Sequence, residues 1–135
     1  MQEPIRIVLI EDNQVFREAL ELLLGLREGV EVVGSLADGD GAVALCEEVR
    51  PDVVIVDYRL PGVDGVQVTS ALHAACPDTA LVCLTASANP SEESALRAAG
   101  AVACLRKDQE LDEIVAELHR AVGRAAHTDW RAAHD

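Results

Sequence analysis

Aromatic side chains are almost missing from this sequence: Phe16, Tyr58 and Trp130 are the only three in 135 residues. A core must therefore be aliphatic, built from Val, Leu, Ile and Ala, and one domain of this length can bury such a core without metal or disulfide support. Paired cysteines are missing too. Cys46, Cys76, Cys83 and Cys104 include no C-x-x-C pair, and His73, His119, His127 and His134 show no metal-ligand spacing. A zinc site is thereby disfavoured, and reduced thiols acting as small hydrophobes are expected. No apolar run approaches the ~18 residues of a membrane span. The start, Met1-Gln2-Glu3-Pro4, lacks the basic flank of a signal peptide, so the expectation is a cytoplasmic protein without membrane contact. Basic residues are outnumbered as well. Eleven Lys and Arg against 24 Asp and Glu leave a formal charge of −13, which opposes nucleic-acid binding and suits a metal cation or a basic partner.

What is present is strong alternation of apolar runs and turns. Val53-Val54-Ile55-Val56 is β-branched throughout and ends on Asp57, the pattern of a central strand buried on both faces of a parallel sheet. Four further strands are expected at Ile5–Ile10, Val30–Leu36, Ala80–Leu84 (ending at Thr85) and Ala101–Arg106, the second nearer a sheet edge because its apolar residues are less continuous. Helices are expected over 14–26 with Asn13 as its cap, over 41–50, from Asp64 to Ala75, over 91–99 closed by Gly100, and after Asp108 as a cap, with Leu111, Ile114, Val115, Leu118 and Val122 inward. Short crossovers and apolar strands point to a (βα)5 doubly wound α/β domain with helices on both faces. The domain is expected over 1–123, with 124–135 a helix extension or tail in which Trp130 is a candidate partner contact.

Four of the five strands end on polar residues: Glu11 and Asp12, Asp57, Thr85 and Lys107. Ligands of open α/β sheets bind outside the carboxyl ends of the strands. Any one of these is an ordinary loop residue, but the set carries chemistry. Three carboxylates at one edge raise each other's pKa values unless a divalent cation shares the site, and a few hard oxygen ligands favour Mg2+. A carboxylate is also a nucleophile toward phosphorus. Phosphoryl transfer requires the equatorial oxygens to be neutralised, which a cation, the Thr85 hydroxyl and the Lys107 ammonium could do.

With Glu11-Asp12, Asp57 followed by Leu60-Pro61-Gly62-Val63-Asp64-Gly65, Thr85-Ala86, and Lys107 after Gly100-Ala101, the chain resembles the response-regulator receiver (CheY-like) domains of two-component signalling. The resemblance covers about residues 5–123. It implies a flavodoxin-like five-stranded sheet of order 2-1-3-4-5. It also implies that Asp57 is the phosphoacceptor, charged by a sensor histidine kinase, and that the domain hydrolyses its own aspartyl-phosphate. Asp12 would ligate Mg2+ directly, Glu11 mostly through water, and the Arg59 carbonyl would add a ligand. Thr85 and Lys107 would bind the phosphoryl group, while Arg59 and Ser87 would flank the path of the hydrolytic water. Homodimers through the fourth-helix/fifth-strand or first/fifth-helix faces are further expectations.

Two departures stand out. The switch position three residues before Lys107, usually Tyr or Phe in receivers, is Cys104, so the coupling from Thr85 to the fourth-helix/fifth-strand face is altered or weakened, or the substitution is simply tolerated. Lys107-Asp108 stands where many receivers have Lys-Pro; together with Gly100-Ala101 it looks most like the branch fused to helix-turn-helix output domains, hence transcription regulation. Residues 124–135 cannot form such a domain, which leaves a stand-alone receiver or a piece of a longer regulator. Three other readings compete. A phosphorylation-independent pseudo-receiver would use the fold as a docking face. An Asp-nucleophile phosphatase would want a second acid where Arg59 stands. A flavin site would need neutral groups where Glu11-Asp12-Asn13 stands.

Overall fold

A computed structural model describes residues 3–62, 64–86 and 89–134, with side chains through 123. Five strands alternate with five helices: β1 (Ile5–Ile10), α1 (Gln14–Gly25), β2 (Val30–Leu36), α2 (Ala42–Val49), β3 (Val53–Asp57), α3 (Gly65–Ala75), β4 (Ala80–Thr85), α4 (Pro90–Ala99), β5 (Ala103–Arg106) and α5 (Leu111–His134). All four strand pairings are parallel, in the order β2-β1-β3-β4-β5. This is the flavodoxin-like arrangement, with β2 at an edge and β3 in the centre.

Successive strand residues point to opposite faces. Ile7, Leu9, Val53, Ile55, Val82 and Leu84 pack with Leu20 and Leu24 of α1 and Ile114, Val115, Leu118 and Ala121 of α5. Val8, Ile10, Val54, Val56 and Leu81 pack on the other side with Ala42 and Cys46 of α2 and Val68 and Leu72 of α3. The continuous apolar runs of β1 and β3 follow from this: both faces are covered, so neither is polar. A smaller cluster, Cys83, Leu96 and Ala101, seats α4.

Local signals set the boundaries. Asn13 and Asp64 accept hydrogen bonds from the Phe16 and Gln67 amides and so cap α1 and α3. Asn89 caps α4 in the same way, accepting from the Ser91 and Glu92 amides, with Pro90 in the first turn. Gly100, at φ 124°, ends it.

Two expectations are corrected. Asp108 does not cap α5. It lies in a turn, its carboxylate 3.0 Å from Arg106 Nε. The turn is held by the Arg106 N–H donating to Gln109 Oε1 and the Gln109 N–H donating to the Arg106 carbonyl. The helix starts three residues later, at Leu111. Second, β5 starts at Ala103 rather than Ala101, because the Ala101 N–H is used to close α4 on the Leu96 carbonyl. Helix α5 continues through Gly123 to His134; Trp130 lies outside the described side chains. Among the described residues no helix is long and apolar enough to cross a membrane. All four cysteines are free thiols, Cys46 and Cys83 buried, Cys76 and Cys104 half-buried.

Candidate functional site

Because β1, β3, β4 and β5 run parallel side by side, their carboxyl ends bring Glu11, Asp12, Asp57, Thr85 and Lys107 to one edge. Sequence reasoning named all five. Carboxylate oxygens of Glu11, Asp12 and Asp57 lie within 4.8 Å of one another. Glu11 and Asp57 are buried, at 0% and 3% exposure, and Asp12 is exposed. Thr85 closes β4 half-buried, and its carbonyl accepts from the Lys107 N–H at 2.8 Å, which joins the ends of β4 and β5.

The Lys107 ammonium lies 2.6 Å from Glu11 Oε1 and 3.4 Å from Asp57 Oδ2, and 5.0 Å from the centroid of the Phe16 ring. The closer approach is thus to Glu11. Its angle is poor: Glu11 Oε1 is fully buried and has no partner in hydrogen-bond geometry. The contact is an ion pair that leaves this oxygen under-coordinated. Glu11 Oε2 accepts from the Asn13 N–H at 3.0 Å, and Asp57 Oδ1 accepts from the Arg59 N–H at 3.2 Å.

These contacts separate the carboxyl groups electrostatically. Burial, then the adjacent Glu11 and Asp12, pushes Asp57 up to about 7 against the pull of Lys107. Burial also raises Asp12, but hydrogen bonds with Asp57 and Glu11 outweigh it and hold Asp12 below the ordinary carboxylate value. The two aspartates are thus driven apart, buried Asp57 upward and exposed Asp12 downward. Burial lowers Lys107, but the adjacent Glu11 and Asp57 carboxylates reverse that and leave it raised.

The loop after Asp57 is shaped by close backbone approach. The Gly65 N–H donates to the Tyr58 carbonyl at 2.8 Å. A Cβ at Gly65 would sit 2.6 Å from the Asp57 carbonyl oxygen and 2.7 Å from Tyr58 Cα. Gly62 supplies a left-handed φ of 76°. Together they fold the chain back so that Arg59 stands beside Asp57, its side chain exposed. Sequence reasoning used Gly65 only as part of the motif after Asp57 and missed the contact that needs it. Val63 and Ser87 lie outside the described residues.

The site fits a hard divalent cation. Three carboxylates converge, one of them with an under-coordinated buried oxygen, and no thiol or imidazole is among the clustered ligands. Cys104, half-buried on β5, faces away from this triad toward α4, in a small cavity lined by Thr85, Asn89, Glu92, Leu96 and Arg106.

The chain belongs to the response regulator receiver domain family, whose model matches residues 7–119. It is 37% identical over 123 residues to the transcriptional regulatory protein NarL of Mycobacterium tuberculosis, covering 90% of this chain and 57% of that protein. It is 30% identical to the transcriptional regulatory protein DegU of Brevibacillus brevis, covering 99% of this chain and 57% of that one. The chain thus spans a little over half the length of these curated relatives. The solved signal receiver domain of the M. tuberculosis NarL response regulator matches with a TM-score of 0.84 at 34% identity, over 90% of this chain and 98% of that one. The chain is a receiver domain of the two-component type, related to NarL and DegU regulators, and phosphorylation on Asp is the general function of this family. It is a receiver domain of the kind found in signalling proteins.

Proposed function

We propose that this domain accepts a phosphoryl group on Asp57 from a phosphohistidine of a sensor histidine kinase, in the cytoplasm, and passes the signal to an output that regulates transcription. The observation that carries the assignment to Asp57 is its place at the end of the central strand, buried, between two carboxylates and an ammonium. Asp12 and Asp57, with the Arg59 carbonyl, would hold Mg2+, and Glu11 would do so through water. When bound, the cation neutralises charge on the phosphoryl oxygens and on the crowded carboxylates. Asp57 attacks phosphorus in its ionised form, so a pKa near 7 sets a fraction of the metal-free chain out of reaction at neutral pH. The new O–P bond replaces the P–N bond, and the imidazole leaves. Lys107, nearer to Glu11 than to Asp57 in the resting arrangement, would turn to the phosphoryl group as Thr85 donates its hydroxyl to a second oxygen. Hydrolysis of the aspartyl-phosphate by the domain itself belongs to the same reading, with Arg59 and Ser87 at the path of the water.

We keep residues 1–123 as the receiver and 124–135 as an extension of its last helix. For a homodimer or kinase contact the α1/α5 side is favoured. Val15, Leu22 and Leu26 recur at helical spacing and are 80%, 66% and 74% exposed. The α4/β5 side instead carries Glu93, Arg97 and Arg106. Direct nucleic-acid contact by this chain is opposed by its charge of −13.

The test is intact-mass spectrometry after incubation with acetyl phosphate and Mg2+. One phosphoryl adduct is expected on the wild type and none on Asp57→Asn. No adduct on the wild type, or one that survives Asp57→Asn, would refute the assignment and favour a phosphorylation-independent docking module, the reading that Cys104 at the switch position supports.

A further inference from the structure

Cys83 and Cys104 are direct register partners on the adjacent parallel strands β4 and β5. Both belong to the small cluster under α4, and each thiol shifts the other's titration. Neighbouring strands lie about 4.8 Å apart, inside the Cα separation of roughly 4.4–6.8 Å that a disulfide spans. Cys83 is 1% exposed, whereas Cys104 is half-buried and opens on a cavity of about 30 Å3 between α4 and β5.

We propose that Cys83 and Cys104 form a peroxide-oxidisable dithiol, a reversible disulfide site between β4 and β5 beside Thr85. Cys104 is the attacking thiol and Cys83 the resolving one. The Cys104 thiolate displaces hydroxide from hydrogen peroxide to give a sulfenic acid. The Cys83 sulfur then attacks the Cys104 sulfur, an S–S bond forms, the S–O bond breaks, and the leaving hydroxide takes the Cys83 proton as water. In sum, two thiols and one peroxide give one disulfide and two waters. Thiol–disulfide exchange with a small dithiol reverses it.

The division of roles follows the surroundings. The adjacent Cys83 thiol is the largest influence lowering Cys104 below an ordinary thiol, and the nearby Arg97 guanidinium acts in the same direction against burial and Glu93. The adjacent Cys104 thiol, with burial, pushes Cys83 well above it. Cys46, by contrast, is pushed up to about 11 by burial and then by Cys76, and Cys76 is raised as well. The chain thus holds two neighbouring thiol pairs, one of which contains an activated member. Cys83 lies two residues before Thr85 on β4, on the same face. A bridge to Cys104 would therefore join β4 to β5 two pairs before the Thr85–Arg106 pair.

The experiment needs no phosphorylation, so its outcome is independent of the assignment of Asp57. The reduced full chain is treated with a few-fold excess of hydrogen peroxide. Free thiols are then counted with a maleimide after denaturation, and the bridged peptides are sequenced by mass spectrometry. The expected result is a fall from four free thiols to two, a single Cys83–Cys104 bridge, and recovery of all four with dithiothreitol. Cys83→Ser should stop at a sulfenic acid on Cys104 that dimedone traps, and Cys104→Ser should lose no thiol. The proposal is overturned if the wild type keeps four thiols, if the bridge joins Cys46 and Cys76, or if a bridge to Cys104 persists in Cys83→Ser. The wild-type count and linkage decide the matter even where a variant folds poorly.

Discussion

The carboxyl ends of β1 and β3 and the face between β5 and α4 adjoin at Thr85, yet they are built in opposite ways. In the acidic pocket each buried carboxylate has assigned neighbours: Glu11 has the Asn13 amide and Lys107, and Asp57 has the Arg59 amide and Lys107. The helix on the other side has one buried residue, Leu96, a small cavity at its flank, and a cysteine where receivers usually have an aromatic ring. The chemical centre is over-determined, whereas the face that would report its state is lightly held. The difference teaches where free energy is stored. The pocket keeps like charges together at a cost, and α4 is an element that little energy would displace.

The largest test of this contrast is the pH dependence of stability without metal. Asp57 titrates near 3.8 when unfolded and about 7 when folded. Between these values the folded chain binds more protons than the unfolded one, so this group's contribution to stability falls as pH rises through that window. Below it the carboxyl is neutral in both states; above it the penalty is full and constant. The shift corresponds to about 4 kcal/mol as an upper figure for a coupled group. Urea melts in EDTA should show stability rising from pH 8 toward pH 5. Asp57→Asn should flatten the profile and be more stable at pH 8. Saturating Mg2+ should remove most of the wild-type slope, because a cation favours the ionised form. A wild-type profile parallel to that of Asp57→Asn in EDTA would remove the idea of a charge-strained pocket.

That pocket was largely legible in sequence. Asp57 follows four β-branched residues, and the strand ends fall at polar residues in chain order. Parallel pairing then leaves few ways to arrange them. The rest was hidden for identifiable reasons. That Lys107 sits closer to Glu11 than to Asp57 depends on side-chain rotamers. The need for Gly65 comes from backbone seven and eight residues back, at Tyr58 and Asp57. Asp108 looked like a helix cap, but Gln109 bonds the Arg106 amide and delays the helix. Cys83 and Cys104 are 21 positions apart and become partners only once strand order and register are known.

The middle-sized prediction addresses the other region. Leu96→Ala removes the single buried side chain of α4 and should cost about 3 kcal/mol by lost burial and cavity formation. Leu118→Ala, on α5 among Ile114, Val115 and Ala121, should cost a similar amount globally. The two should separate in native-state hydrogen exchange. Leu96→Ala should speed exchange of the α4 amides by tens-fold beyond its effect elsewhere, and Leu118→Ala should speed all slow amides together. Equal patterns in the two variants would mean that α4 is not an independent, lightly held element.

The smallest effect isolates the start of the same helix. Asn89 accepts from the Ser91 amide at 2.9 Å and the Glu92 amide at 3.3 Å, two donors that have no partner within the helix. Asn89→Ala should cost about 1 kcal/mol, and Asn89→Asp should restore most of it, because a carboxylate accepts the same bonds and meets the positive end of the helix. Leu96 anchors the far turn in both variants, so the loss should appear as faster exchange confined to the first turn of α4, with the acidic pocket's pH profile unmoved. If Asn89→Ala altered that profile, the two regions would be mechanically joined through the β4–α4 loop, and the contrast between a fixed chemical centre and a loosely held reporting face would have to be given up.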